Sequence, residues 1–559
     1  MTGKTSFWRK VSYIAAMAIL LVPLSWVSRP ATRDREGRIS EGGVLSQLRR
    51  QYGLSQAELG EIDPASESMK LATLGMRGVA ANILWEKAHH YKKTENWDAL
   101  KATLNQITKL QPNFISVWQF QAWNLSYNVS VEFDDYRQRY HWVKKGIDFL
   151  VEGTQYNRHE PRLLWDIGWF FGHKIGKSDE KVQFRRMFRD DTDFHRGLPI
   201  PLDQAAGPDG RPDNWLVSRE WYLAAQRIVD TQGVPIKGKN PLIFHSDPAM
   251  ALMKYAEAIE EEGYLDEKAQ YAWMRAGQAW HDYGDREIPT SFGYDIRLND
   301  GEKMHAEALR MTAQLDEAAI PREVLREELR ATLRPEERQA LDMPLAERTP
   351  LQHTLAIEAA EKLMVSHQQV AERAPRERHA EALRLAKRIV ATEEQARTID
   401  RYRDIVNFVY WRTRCEAEQQ DEAIRARRFV YEADRAYEAA DLEGARRKYE
   451  DAWEEWAKIF AQHPSLMEDT TAEDLMESVH RYRELLGQLD EAFPPPGFKL
   501  APLLALHEKD LPPTPDGRPP AQTPPDADDP AADQPEPAQP PQAPPGDDVT
   551  VHSPVEVFP

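Results

Sequence analysis

The chain has 559 residues, 72 Lys/Arg against 91 Asp/Glu and a formal net charge of -19. That length holds two or more domains with a large buried core, and the acidic balance excludes a surface built to neutralise phosphates, so no nucleic-acid partner is expected. A 41% hydrophobic, 29% charged composition excludes a multi-span membrane protein, and one cysteine, Cys415, excludes an internal disulfide and Cys-rich metal sites.

In chain order, a basic flank (Arg9, Lys10) precedes Val11 to Val27, 17 residues without a charge. As a helix this run spans roughly 26 Å, near the lower limit for crossing a bilayer. Trp26 and the following Arg29-Pro30 make a poor signal-peptidase site. Residues 1–28 are therefore read as a signal anchor, a transmembrane helix touching the membrane through residues 11–27, in preference to a cleaved signal peptide. Basic residues balance across the span, so the body is placed on the outer side only because short N-terminal anchors act as export signals. Residues 29–64 read as a polar linker with a short helix near "EGGVLSQLRRQYG".

From residue 65 the pattern turns helical. Apolar residues recur at i, i+3 and i+4, and β-branched runs with period-two alternation are hard to find. The expected class is all-α. Within 65–290, seven of the 16 tryptophans fall between residues 85 and 169, which predicts a dense core there. The stretch "NILWEKAHHYKKTENWDALKATLNQITKLQP" carries the clearest pattern. With Pro112 at position 32 of a 34-residue unit, Ala88 falls at 8, Tyr91 at 11, Leu100 at 20, Leu104 at 24 and Ile107 at 27, and Trp85 sits one place from a usual Trp. Such spacing suits a helical hairpin whose first helix receives positions 20, 24 and 27 of the second, ended by proline.

This stretch resembles a tetratricopeptide repeat (TPR). The same +4/+3 spacing returns at Gly146, Leu150 and Gly153, at Ala269, Trp273 and Ala276, and at Ala445, Tyr449 and Ala452, the last set preceded by Ala433 and Tyr437. The motifs "LGMRGVAANILW" and "LQPNF" around the first repeat are similar to those of bacterial membrane-anchored TPR-like proteins. The resemblance covers about 70–175 and 430–464, and insertions such as "HRGLPIPLDQAAGPDGRPDN" break strict repetition. It implies an irregular TPR-like helical-hairpin solenoid, with the N-terminal transmembrane helix placing it in a bacterial inner membrane, single-pass, its body on the periplasmic side.

Residues 291–415 read as charged, long amphipathic helices, since 301–400 contain no Phe, Trp or Tyr. Residues 416–508 read as a C-terminal TPR-like hairpin with flanking helices. Residues 509–559 read as a disordered Pro/Asp-rich tail, with 16 of the 39 prolines from Pro512 onward.

Candidate chemistry is sparse. "GHKIGKS" (Gly172 to Ser178) resembles a phosphate loop, but encloses three residues between its glycines where four are needed, and it follows a helical segment. It reads better as a helix end with Lys174 and Lys177 near its C-terminus. His89 and His90 are adjacent on a helix and point about 100° apart, the wrong spacing for one metal. Cys415 has Arg412 and Arg414 beside it but no histidine near in sequence, so it reads as an inert helical thiol. No catalytic motif, metal or cofactor is expected. The expected function is a membrane-anchored protein–protein interaction scaffold of the bacterial cell envelope, holding a protein or peptide partner. The alternative is an envelope enzyme or carbohydrate/polymer-binding protein with a site in the Trp-rich 75–290 region, where Trp165 and Trp169 would stack on sugars.

Overall fold

Helices dominate because most of the chain alternates small or apolar residues with charges at a 3.6-residue period, so each helix buries one stripe and solvates the rest. In the computed structural model, which describes residues 77–94 and 96–507 together with Gly43, Val44 and Gln47, the protein is all-α. Among the described residues the exceptions are short: a two-stranded antiparallel pair, β1 (Ile288–Pro289) and β2 (Asp295–Ile296), and an isolated bridge between Ala206 and Pro212. The expected anchor at 11–27, the expected linker at 29–64 apart from Gly43, Val44 and Gln47, and the expected tail from residue 509 lie outside the described residues. Among those described, no helix is long and apolar enough to cross a membrane. The chain divides into two compact units at Glu262/Gly263.

In the first unit, α1 (Arg77–Lys93) and α2 (Trp97–Leu110) pair through a short turn, and Asn96 caps α2 by accepting from the Ala99 amide at 3.2 Å. Ala81 and Ala88 leave room for Leu100, Leu104 and Ile107, all fully buried with Val117; Trp85 and Tyr91 are half-buried at the edge of this cluster. Pro112 ends the hairpin. Its carbonyl accepts from Trp118 Nε1 at 2.8 Å and from Asn157 Nδ2 at 2.9 Å.

α3 (Ile115–Trp123) runs into a π-helical turn (Asn124–Val129) and packs on α4 (Tyr136–Tyr156). Gly146 and Gly153 seat α4: a Cβ at Gly146 would lie 2.1 Å from Ser126 Oγ and 2.7 Å from the Ala122 carbonyl, and one at Gly153 would lie 2.8 Å from the Trp118 ring. α5 (Pro161–Trp169) likewise continues into a π-helical turn (Phe170–Lys174). After α6 (Lys181–Asp190) and the short α7 (Thr192–Gly197), α8 (Asn214–Gln232) lies along α5 and packs on α9 (Pro241–Glu261).

Gly168, Gly172 and Gly176 form the stripe that lets α8 approach. Cβ atoms there would meet Tyr222 at 2.8 Å, Trp215 at 2.7 Å and Trp215 again at 2.7 Å. Ser218 Oγ donates to the Gly168 carbonyl at 2.6 Å and Asn214 Nδ2 to the Phe171 carbonyl at 2.9 Å. Arg185 of α6 fixes the start of α8: it donates to Asp213 and Glu262, each at 2.9 Å, while Asp213 caps α8 at the Trp215 amide.

In the second unit, α10 (Glu267–Gly284) buries Ala269, Trp273 and Ala276 completely and packs against α17 (Phe408–Glu418). Between them lie α11 (Gly301–Ala318), α12 (Arg322–Thr332), α13 (Pro335–Asp342), α14 (Pro350–Lys362), α15 (His367–Glu372) and α16 (His379–Ile405). Their core is a thin aliphatic spine including Met311, Leu315, Val370, Ala386 and Ile389, which follows from the absence of aromatics there. α18 (Asp421–Glu438) and α19 (Leu442–Gln462) make the most extensive helix pair described. Ala440 at φ 60 and Asp441, which accepts from the Gly444 amide at 3.0 Å, close their turn. Ala433, Ala445, Tyr449 and Ala452 are fully buried between them, and Tyr437 is half-buried, accepting from Gln488 Nε2 at 2.8 Å. α20 (Thr470–Gln488) and α21 (Ala501–His507) complete this core through Tyr482 and Leu503.

Candidate functional site

The first unit presents an aromatic stripe on α1, α3 and α5. Trp123 and Tyr127 stand four residues apart on α3 and its π turn, with rings stacked at 5.8 Å. Trp169 and His173 repeat that spacing on α5 and its π turn, stacked at 4.8 Å. Tyr127 meets Trp169 at 6.1 Å, so the four rings form one continuous ladder. Lys92 of α1 extends it, its Nζ 5.7 Å from the Trp123 ring and 5.4 Å from Phe120. All four rings are half-buried, unlike Trp118 and Trp165, which are 2% exposed. A half-buried ring is held in place on one side and offers its other surface to a ligand.

The ladder ends in a cavity of about 440 Å³ between the two π-helical turns, lined by Tyr127, Ser130, Trp169, His173, Lys174 and Lys177 among others. An i→i+5 turn widens the backbone and re-aims the side chains that follow it, a device frequent at functional sites. Lys174 is only 8% exposed, and its Nζ lies 4.4 Å over the Tyr127 ring. Among the described residues no carboxylate forms an ion pair with it; burial pushes its pKa down, against the through-space pull of Glu180 and Asp179. Arg139, also on the wall, is engaged by Glu180 and the Phe133 carbonyl. Ser178 Oγ is buried without a hydrogen-bond partner among the described residues. Burial, reinforced by neighbouring lysines, lowers the His173 pKa to about 3, so its imidazole is neutral at pH 7. The arrangement offers flat apolar faces, one buried ammonium and one unpartnered hydroxyl, with Lys177, the exposed Asp179 and the Arg139-bound Glu180 also on the wall: a cationic excess beside an apolar body.

A second cavity of about 440 Å³ lies between α2 and α4 over the Trp118 ring, with Lys101, Lys109 and Lys145 facing Asp148 and Glu152. Its mixed rim and its place on the second helix of each pair set it apart from the ladder.

Asp166 and Asp247 form a separate buried group with Trp165, Tyr222 and Lys239. Burial raises the Asp166 pKa to about 6 and the Asp247 pKa to about 7, and lowers that of Lys239 to about 8. Trp165 Nε1 donates to Asp247, and Lys239 lies 3.2 Å over the Trp165 ring. Trp165 is thus a packed ring between α5 and α8, not a stacking platform at a surface.

The remaining sequence candidates are placed as follows. "GHKIGKS" is helical from Gly172 to Gly176, and its glycines face Trp215 and Asn214, so they serve helix packing and wrap no phosphate. Yet Lys174, Lys177 and Ser178 of that stretch line the ladder's cavity. Sequence reasoning treated them as a helix end; the run of aromatics before three polar groups in "WFFGHKIGKS" was the signal available. His89 and His90 are both exposed and diverge, His89 meeting Trp85 at 5.4 Å and His90 meeting Tyr91 at 6.0 Å. Among the described residues no group of three or more His, Cys, Asp or Glu is placed to hold a metal ion. Cys415 is fully buried on α17.

No protein-family model matches the chain, and no curated protein matches it.

Proposed function

We propose that the chain is a TPR-like, membrane-anchored interaction scaffold of the bacterial cell envelope, held through residues 11–27 with its body on the periplasmic side, and that it holds a protein or peptide partner. The observation that supports a binding role is the half-buried ladder Trp123–Tyr127–Trp169–His173, presented by the first helices of successive pairs. In a helical-hairpin solenoid those first helices line the face offered to partners, and the Pro112 closure and the seats at Gly146 and Gly153 suit such stacking. Partly exposed aromatics are the anchors that carry most interface energy.

The test is photo-crosslinking from intact membranes, with a photoreactive residue at position 123 or 169 and a control at the exposed Val182. Discrete protein adducts at 123 and 169 but not at 182 are expected. No adduct at either ladder position sinks the reading. Protection of those positions by an added glycan oligomer instead of a protein would favour the carbohydrate- or polymer-binding alternative.

A further inference from the structure

We propose that the cavity at the end of the ladder is an anion pocket that takes the carboxylate of an acidic, extended peptide segment, with Lys174 as its principal ligand. This rests on the reading of the ladder as a peptide-holding face. Three observations point to an anion. Lys174 is 8% exposed and lines the cavity, yet among the described residues its ammonium has a ring beneath it and no carboxylate paired with it. Glu180 and Asp179 act on it only through space, without an ion pair, and a buried charge so weakly compensated is unfavourable; an incoming anion compensates it directly. Ser178 Oγ, on the same wall, is buried and unpartnered, a second donor already desolvated. Two carboxylates share the lining, Glu180 and Asp179, but Glu180 is engaged by Arg139 and Asp179 is exposed, so with Lys174 and Lys177 the wall keeps a cationic excess.

The extent of the ladder then selects a peptide over a small free anion. From the cavity the rings continue outward in steps of 6.1 and 5.8 Å to Tyr127 and Trp123, and on to Lys92. An extended chain places alternate side chains on one face about 6.6 Å apart, close to that ring spacing. Apolar residues at alternate positions would lie on successive rings, and an acidic residue at the end would reach Lys174. His173, neutral and stacked on Trp169, adds apolar wall without repelling the peptide's own cationic groups.

The test uses the intact chain in detergent and fluorescein-labelled Leu-Ser-Leu-Ser-Leu-Glu-Glu amide, read by anisotropy, beside Gln-Gln and Lys-Lys counterparts. The Glu peptide is expected to bind at least tenfold tighter than the Gln peptide, and the Lys peptide weakest. Lys174→Gln is expected to erase the Glu-over-Gln preference, and Lys174→Arg to retain it. Equal affinity for the Glu and Gln peptides, or a preference that survives Lys174→Gln, overturns the anion pocket while leaving the ladder reading standing. Binding of none of the three peptides overturns both. Inorganic phosphate or free glutamate binding as tightly as the Glu peptide overturns the peptide assignment in favour of a small-anion site.

Discussion

Asp166→Asn isolates the cost of ionising a buried carboxylate inside the α5–α8 packing. Asp166 is fully buried; one oxygen accepts from Gln119 Nε2 at 2.5 Å, and the other, Oδ1, has no partner among the described residues. Burial raises its pKa from 3.8 to about 6, against the lowering effect of the Gln119 hydrogen bond. The folded state therefore holds its proton to higher pH than the unfolded chain does. Stability is full below about pH 3.8, falls as pH rises toward about 6, and is flat above that. At about 1.4 kcal/mol per unit, the loss is about 3 kcal/mol, an order-of-magnitude figure. Asparagine mimics the protonated form in shape and cannot ionise. The variant should match the wild type at pH 4.0 and exceed it by up to about 3 kcal/mol at pH 7.5. Hydrogen exchange of peptides covering α5 and α8, followed through urea unfolding of the intact chain at both pH values, reads this locally. A stability difference of the same size at both pH values would refute the argument.

Arg185→Leu strands Asp213, which is 1% exposed, and should cost about 3–5 kcal/mol; the double variant with Asp213→Asn should cost less than the two single costs combined, as chemical denaturation of the three proteins would show. Two glycine substitutions should act in opposite directions. Gly172→Ala forces a methyl to 2.7 Å from the Trp215 ring and should lower stability by about 1–3 kcal/mol, whereas Gly277→Ala places one 3.4 Å from Cys415 Cβ in mid-helix and should raise it by up to about 1 kcal/mol, both measured by thermal unfolding. Cys415, fully buried, should resist a maleimide in the folded protein and react at once in denaturant; rapid labelling of the native chain would contradict its placement.

The all-α class was legible because a 3.6-residue period survives even where the sequence is otherwise unlike from one helix to the next. The small residues Ala88, Gly146, Gly153 and Ala433 marked close helix contacts for the same reason: a missing side chain is visible in the sequence, and here each is buried or abuts a neighbouring helix. Which helices meet was not legible. Trp273 signals a buried stripe on α10, but periodicity carries no information that its partner is α17, far along the chain. The ladder was half legible. The i, i+4 pairs Trp123/Tyr127 and Trp169/His173 stand in the sequence, but the π turns that bring Lys174 over Tyr127 have no compositional mark. Exposure divided Trp165 from Trp169 although the two share a helix face: Trp165 is buried among Tyr222, Ala225 and Phe244, whereas Trp169 packs against the edge of the same cluster and stays half-buried.

The Pro112 carbonyl receives Trp118 from the start of the next helix pair and Asn157 from its end. Asn157 also donates to the Gly153 carbonyl at 2.8 Å, and Asn113 donates to the Tyr156 carbonyl at 2.8 Å. One buried acceptor thus acts as a rivet through two consecutive hairpins. Opening either hairpin leaves the donors of the other unmatched in an apolar surround, so neither has a cheap partly open state of its own. The junction of the two pairs is thus held by the carbonyl of a proline that lies outside the helices on either side of it.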